Sequence, residues 1–93
     1  MNPRQLQSNT DLFNFLVWLG NELQARGETP LAKEVTFASR FAIGSASEFL
    51  HEAQQVLTKV ASSKPPILTT EQSDDVKAVI AQINEAFRKI GGA

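Results

Sequence analysis

The chain has no cysteine and no tyrosine, a single histidine, and no apolar run longer than the five residues 15–19. Each shortage closes a class of function. Without cysteine there is no disulfide framework, no thiolate zinc site, no iron–sulfur cluster and no thiol nucleophile. Nucleophilic catalysis is further starved, because no Gly-x-Ser-x-Gly elbow occurs and His51 is the sole imidazole base. Neither a catalytic activity nor a cofactor is therefore expected. Five apolar residues fall far short of the roughly 20 that a membrane-spanning helix needs, so no membrane partner is expected either.

Charge of one sign is also missing. Nine Lys plus Arg stand against ten Asp plus Glu, and the segments 1–27, 28–44 and 45–64 are each neutral. Such a chain lacks the field that holds a polyanion, and nucleic acid is a poor candidate partner. Residues 1–8 are polar with only Arg4 charged, unlike the basic start and apolar stretch of a signal peptide, which predicts a cytoplasmic protein.

What is present is one domain's worth of apolar residues, 42% of 93. A chain of this size hides only about 60 to 65% of its unfolded surface, so good packing or a second subunit must supply stability. The apolar residues recur with helical spacing in four segments, about 9–26, 30–43, 46–61 and 70–90. These predict an all-α single-domain four-helix bundle, antiparallel or partly orthogonal, with a flexible stretch at 1–8, a Pro-containing loop at 62–69 and frayed residues at 91–93.

The boundaries follow from capping chemistry. Ser8 or Thr10 can accept a free amide hydrogen of the first helix, and Asp11 suits the positive end of its dipole. Gly27 fits the left-handed position that closes that helix, and Thr29-Pro30 reads as cap and first residue of the next. Ser45 with Glu48, and Thr69 with Gln72, have the spacing of reciprocal capping boxes, and Gly91-Gly92 ends the fourth helix.

Helices three and four each show one apolar face, Phe49, Leu50, Ala53, Val56, Leu57 and Val60 on one, Val76, Ile80, Ile83, Phe87 and Ile90 on the other. They are expected to form the strongest pair. Helix two carries Leu31, Val35, Ala38 and Ala42 in one row, small enough to admit a close neighbour. Helix one has a stripe of Leu12, Leu16, Leu19 and Leu23, while Phe13, Phe15, Val17 and Trp18 spread apolar surface around most of the remaining circumference. Such a helix is either the middle of the bundle or a partner surface. The partner reading predicts that Phe15, Val17 and Trp18 bind a second copy, giving a homodimer, or another protein.

Three other readings compete. Phe13, Phe37, Phe41 and Phe49 could line an apolar cavity for a small molecule, although phenylalanine at helical spacing is more often core. Helices two and three, joined by Gly44-Ser45, resemble a helix-turn-helix, but the outward residues of helix three are richer in acids than bases. Glu48 and His51 have the Glu-x-x-His spacing of di-iron bundles, but that pair faces away from the apolar stripe and no second histidine exists. No metal site is expected.

Overall fold

Four helices and one 3-10 turn occupy the described residues, 9–63 and 67–89, of the computed structural model: α1 (Asn9–Ala25), α2 (Thr29–Ser39), the 3-10 turn (Arg40–Ile43), α3 (Ala46–Ala61) and α4 (Thr70–Lys89). The expected Ser8 cap and flexible stretch at 1–8, the Pro65-Pro66 part of the loop, Ile90 and the segment 91–93 lie outside the described residues.

The turn between α1 and α2 is built by hydrogen bonds that pass from one helix to the next. Gly27, at φ 81°, takes the left-handed conformation that costs glycine nothing. Its N–H donates to the Gln24 carbonyl (3.1 Å) and the Glu28 N–H to the Leu23 carbonyl (2.9 Å), the paired bonds of a Schellman closure. The Glu28 carbonyl then accepts the Ala32 N–H (2.9 Å), so Glu28 ends one helix and opens the other. This corrects the expected cap: Thr29 is already helical, Glu28 stands at the cap without a side-chain bond, and Pro30 still lies in the first turn, where its missing N–H costs nothing.

α2 also stops short of the expected end at residue 43. The hydroxyl of Ser39, a buried polar residue, donates to the Thr36 carbonyl (2.6 Å). The Arg40 N–H bonds the Phe37 carbonyl instead, and the chain tightens into the 3-10 turn before Gly44. At α3, Ser45 Oγ accepts the Glu48 N–H (3.4 Å). At α4 the capping box is complete: the Thr69 N–H donates to Gln72 Oε1 (3.2 Å) and the Gln72 N–H to Thr69 Oγ1 (3.1 Å).

Contacts link the four helices in chain order. Gly20 of α1 lies against Ala32, Val35 and Thr36 of α2, Glu34 of α2 meets Lys59 of α3, and Gln54 of α3 bonds Asn84 of α4. The circuit closes where Gln72 Nε2 donates to Glu22 of α1 (3.1 Å) and Arg26 Nη1 donates to the Ile67 carbonyl (2.7 Å). One core joins all four helices, with Leu12, Leu16, Leu19 and Leu23 of α1 fully buried among Val35, Phe49, Leu57, Val76, Val79 and Ile83. Each such side chain contributes about 1.5 to 3 kcal/mol, so α1 and α3, which bury the most of them, carry most of the core.

The closest pairing is α1 with α2, not α3 with α4 as the apolar stripes suggested. Its cause is small residues. A Cβ on Gly20 would stand 2.9 Å from the Thr36 hydroxyl and 3.7 Å from the Ala32 carbonyl, so it is the Thr36 side chain that fills the space beside this glycine.

Candidate functional site

α1 has two flanks beside its leucine stripe, and they differ in character. Phe15, three residues after Leu12 and four before Leu19, belongs to the edge of the stripe and is 1% exposed. Trp18 lies on the same flank, half-buried against the core with its ring 5.7 Å from that of Phe15. Glu22, also on this flank, accepts the bond from Gln72 of α4. The expected trio of Phe15, Val17 and Trp18 is therefore divided. Phe15 is a core residue and Trp18 is mostly covered by this chain's own packing, which corrects their assignment to one surface; Val17 faces outward on the opposite side.

The other flank is open. At about 100° per residue, Phe13, Val17, Gly20 and Gln24 fall within about 60° of one another around the helix. Gly20, Asn21 and Gln24 form one bank of a groove of about 430 Å³, and Lys33, Thr36, Phe37 and Arg40 of α2 and its 3-10 extension form the other. At the far end of this row, Phe13, Ala42 and Ile43 line a second depression of about 260 Å³ with Asn9 and Thr10. Phe13 (37% exposed), Val17 (39%), Phe37 (57%) and Ile43 (97%) are the four exposed large hydrophobic residues among those described. All four lie on α1, α2 or the 3-10 turn, whereas α3 and α4 present polar backs there. Phe41 is half-buried and meets the Phe37 ring edge-on (5.5 Å).

No protein-family model, curated protein or solved structure matches the chain significantly.

The electrostatics of the groove follow from its lining. Lys33 and Arg40 border it and no carboxylate does, while Lys33 and Phe37, on the crest of α2, also border the α2–α3 groove with Glu34 and Glu52. Glu34 turns the other way, to the groove between α2 and α3, where both its carboxylate oxygens accept from Lys59 Nζ (2.9 and 3.0 Å). Among the described residues neither Lys33 nor Arg40 belongs to an ion pair.

The four phenylalanines proposed to line one cavity are not brought together. Phe49 is sealed in the core, Phe13 and Phe37 are exposed, and they face different grooves, so this expectation is corrected. The helical spacing that suggested a cavity put Phe49 in the core, left Phe41 half-buried, and set Phe13 and Phe37 at the surface in separate depressions. Glu48 and His51 are both exposed, and His51 Nε2 lies 2.9 Å from Gln55 Nε2 one turn later. No helix among the described residues is long and apolar enough to cross a membrane.

Val17, which the sequence set apart from the leucine stripe, is exposed, whereas the sequence did not single out Ile43 and marked Phe37 only as a cavity residue. The signal for Phe37 was present: it sits beside, not within, the row of Val35 and Ala38 that α2 buries.

Proposed function

We propose that this protein is a small protein-interaction module whose docking face is the outer side of the α1–α2 hairpin. The observation that carries the reading is the segregation of Phe13, Val17, Phe37 and Ile43 onto that side, while the exposed backs of α3 and α4 are polar among the described residues. Scattered exposed apolar residues are ordinary, but their gathering along one grooved face is a mark of an interaction surface. Aromatic side chains such as Phe13 and Phe37 supply contact area at small entropic cost and commonly dominate binding energy. The role requires no catalytic group, in keeping with a chain that has no cysteine or tyrosine and whose histidine is exposed.

The test is position-dependent photocrosslinking in the source cell. With p-benzoylphenylalanine in place of Val17 or Phe37, a discrete adduct is expected; with it in place of Glu85, on the exposed back of α4, none is. Equal labelling from all three positions, or from position 85 alone, overturns the assignment of the face.

A further inference from the structure

We infer that the α1–α2 face takes an acidic amphipathic helix from a different protein, about four turns long and carrying two carboxylates two turns apart. This rests on the docking reading above and adds the chemistry of the partner.

Charge is the first argument. The groove holds two cations and no carboxylate in a chain whose net charge is −1, so its basic character is local. A partner that covered Phe37 and the groove with apolar atoms alone would strip water from Lys33 and Arg40 and leave them uncompensated, which disfavours such a partner. Carboxylates on the partner remove that penalty and set its register. Lys33 and Arg40 are seven residues apart, about 10 Å along a helix axis, which matches acids at positions i and i+7 of the incoming helix.

Shape is the second. The row from Asn9 to Gln24 along α1 measures about 22 Å, and the two depressions lie along it in sequence. Gly20, Ala32 and Thr36, none of them with a long side chain, line the groove where the two helices meet, leaving room above them for an incoming helix. An apolar stripe on that helix would meet Phe13, Val17 and Ile43 at one end and Phe37 near the middle.

A second copy of this chain fits poorly. Isologous pairing through this face would bring two further cations to a groove that has no acid. The chain's own acidic turn, Glu71, Asp74 and Asp75, belongs to α4, whose apolar face is already spent on Val76, Val79 and Ile83 in the core. Duplex nucleic acid fits poorly as well, because four exposed apolar side chains share the face with only two cations.

The test uses the full chain and a phage-displayed library of 16-residue helices, followed by fluorescence anisotropy with the enriched synthetic peptide. Enriched peptides are expected to carry Asp or Glu at a seven-residue spacing beside an apolar row. Lys33→Glu with Arg40→Glu should weaken the winning peptide about fivefold or more, and Val17→Asp with Phe37→Asp about tenfold or more. Lys77→Glu, on the back of α4, should leave binding unchanged, and circular dichroism should show all variants folded. Neutral or basic winners, no enrichment, or binding indifferent to Lys33 and Arg40 overturns the acidic partner. If adducts still form from positions 17 and 37, that failure leaves the docking face standing. A crosslink joining two copies through position 17, or duplex DNA binding lost in the Lys33/Arg40 variant, also overturns it.

Discussion

Gly20 and Thr36 meet where the two hairpin helices are closest, and the sign of a substitution there depends on both. In a helix interior alanine is better than glycine by about 0.8 to 1 kcal/mol. At position 20 the added methyl meets Thr36 Oγ1 at 2.9 Å, so the hydroxyl must rotate or the helices part slightly. Gly20→Ala alone is therefore expected to be neutral to mildly destabilising. In a Thr36→Ala background the obstacle is gone, and the same change should stabilise by about 0.5 to 1 kcal/mol, read as a shift in the urea midpoint at constant slope. Additivity of the two substitutions would show that the contact does not constrain the hairpin. Two residues along α1 show the opposite contrast. Phe15→Ala should cost about 3 to 5 kcal/mol because a fully buried ring is lost, whereas Val17→Ala, at an exposed position, should stay within about 0.5 kcal/mol. Equal costs would refute the division of α1 into a core flank and an open flank.

At the scale of elements, the start of α4 and the seam between α2 and α3 are held by bonds of different worth. The Thr69–Gln72 box satisfies amides that the helix itself leaves free, and Thr69→Ala is expected to cost about 1 kcal/mol by urea unfolding. The exposed Glu34–Lys59 pair between α2 and α3 should contribute no more than about 1 kcal/mol, an amount that 1 M salt should largely erase. A Thr69→Ala effect smaller than that of Glu34→Gln at low salt would reverse this ranking. Capping chemistry is local, which is why the number of helices and the ends at Gly27, Ser45 and Thr69 were legible in the sequence. The Ser39 hydroxyl that diverts α2 into a 3-10 turn was not legible, because its effect depends on burial by other helices. The pairing order was misread for a similar reason. Long apolar stripes on α3 and α4 report how much each helix buries, while the distance between helices is set by what stands at the crossing, here a glycine against α2. The candidate site was half legible: one helical turn of sequence identifies Val17 as surplus to the leucine stripe, but Ile43 joins it only through the fold of the 3-10 turn back along α1.

The whole molecule resolves the tension between small size and surplus apolar surface by separating the two. Its core draws on every helix, so the stability of the isolated chain is expected not to depend on the docking face. Replacing Phe13, Val17, Phe37 and Ile43 together by serine is expected to lower the melting temperature by only a few degrees, since in the free chain these side chains lie 37 to 97% exposed. Leu16→Ala, at 0% exposure, should by contrast cost about 2 to 5 kcal/mol, which in a domain of this size is about 10 °C or more. The dependence on concentration separates a self-sufficient fold from one completed by a second copy. A monomeric unfolding unit melts at the same temperature at every protein concentration, whereas a dimer sealed through this face would melt higher as concentration rises and lose that dependence in the quadruple variant. Calorimetry over a hundredfold range of concentration should give a constant midpoint for the parent chain. Only an added partner should raise it, by an amount that grows with the logarithm of partner concentration once binding saturates, and the quadruple variant should not respond. A midpoint that climbs with the chain's own concentration would mean that the exposed face is part of the folding unit, and that the core alone is too small to hold 93 residues without a cross-link.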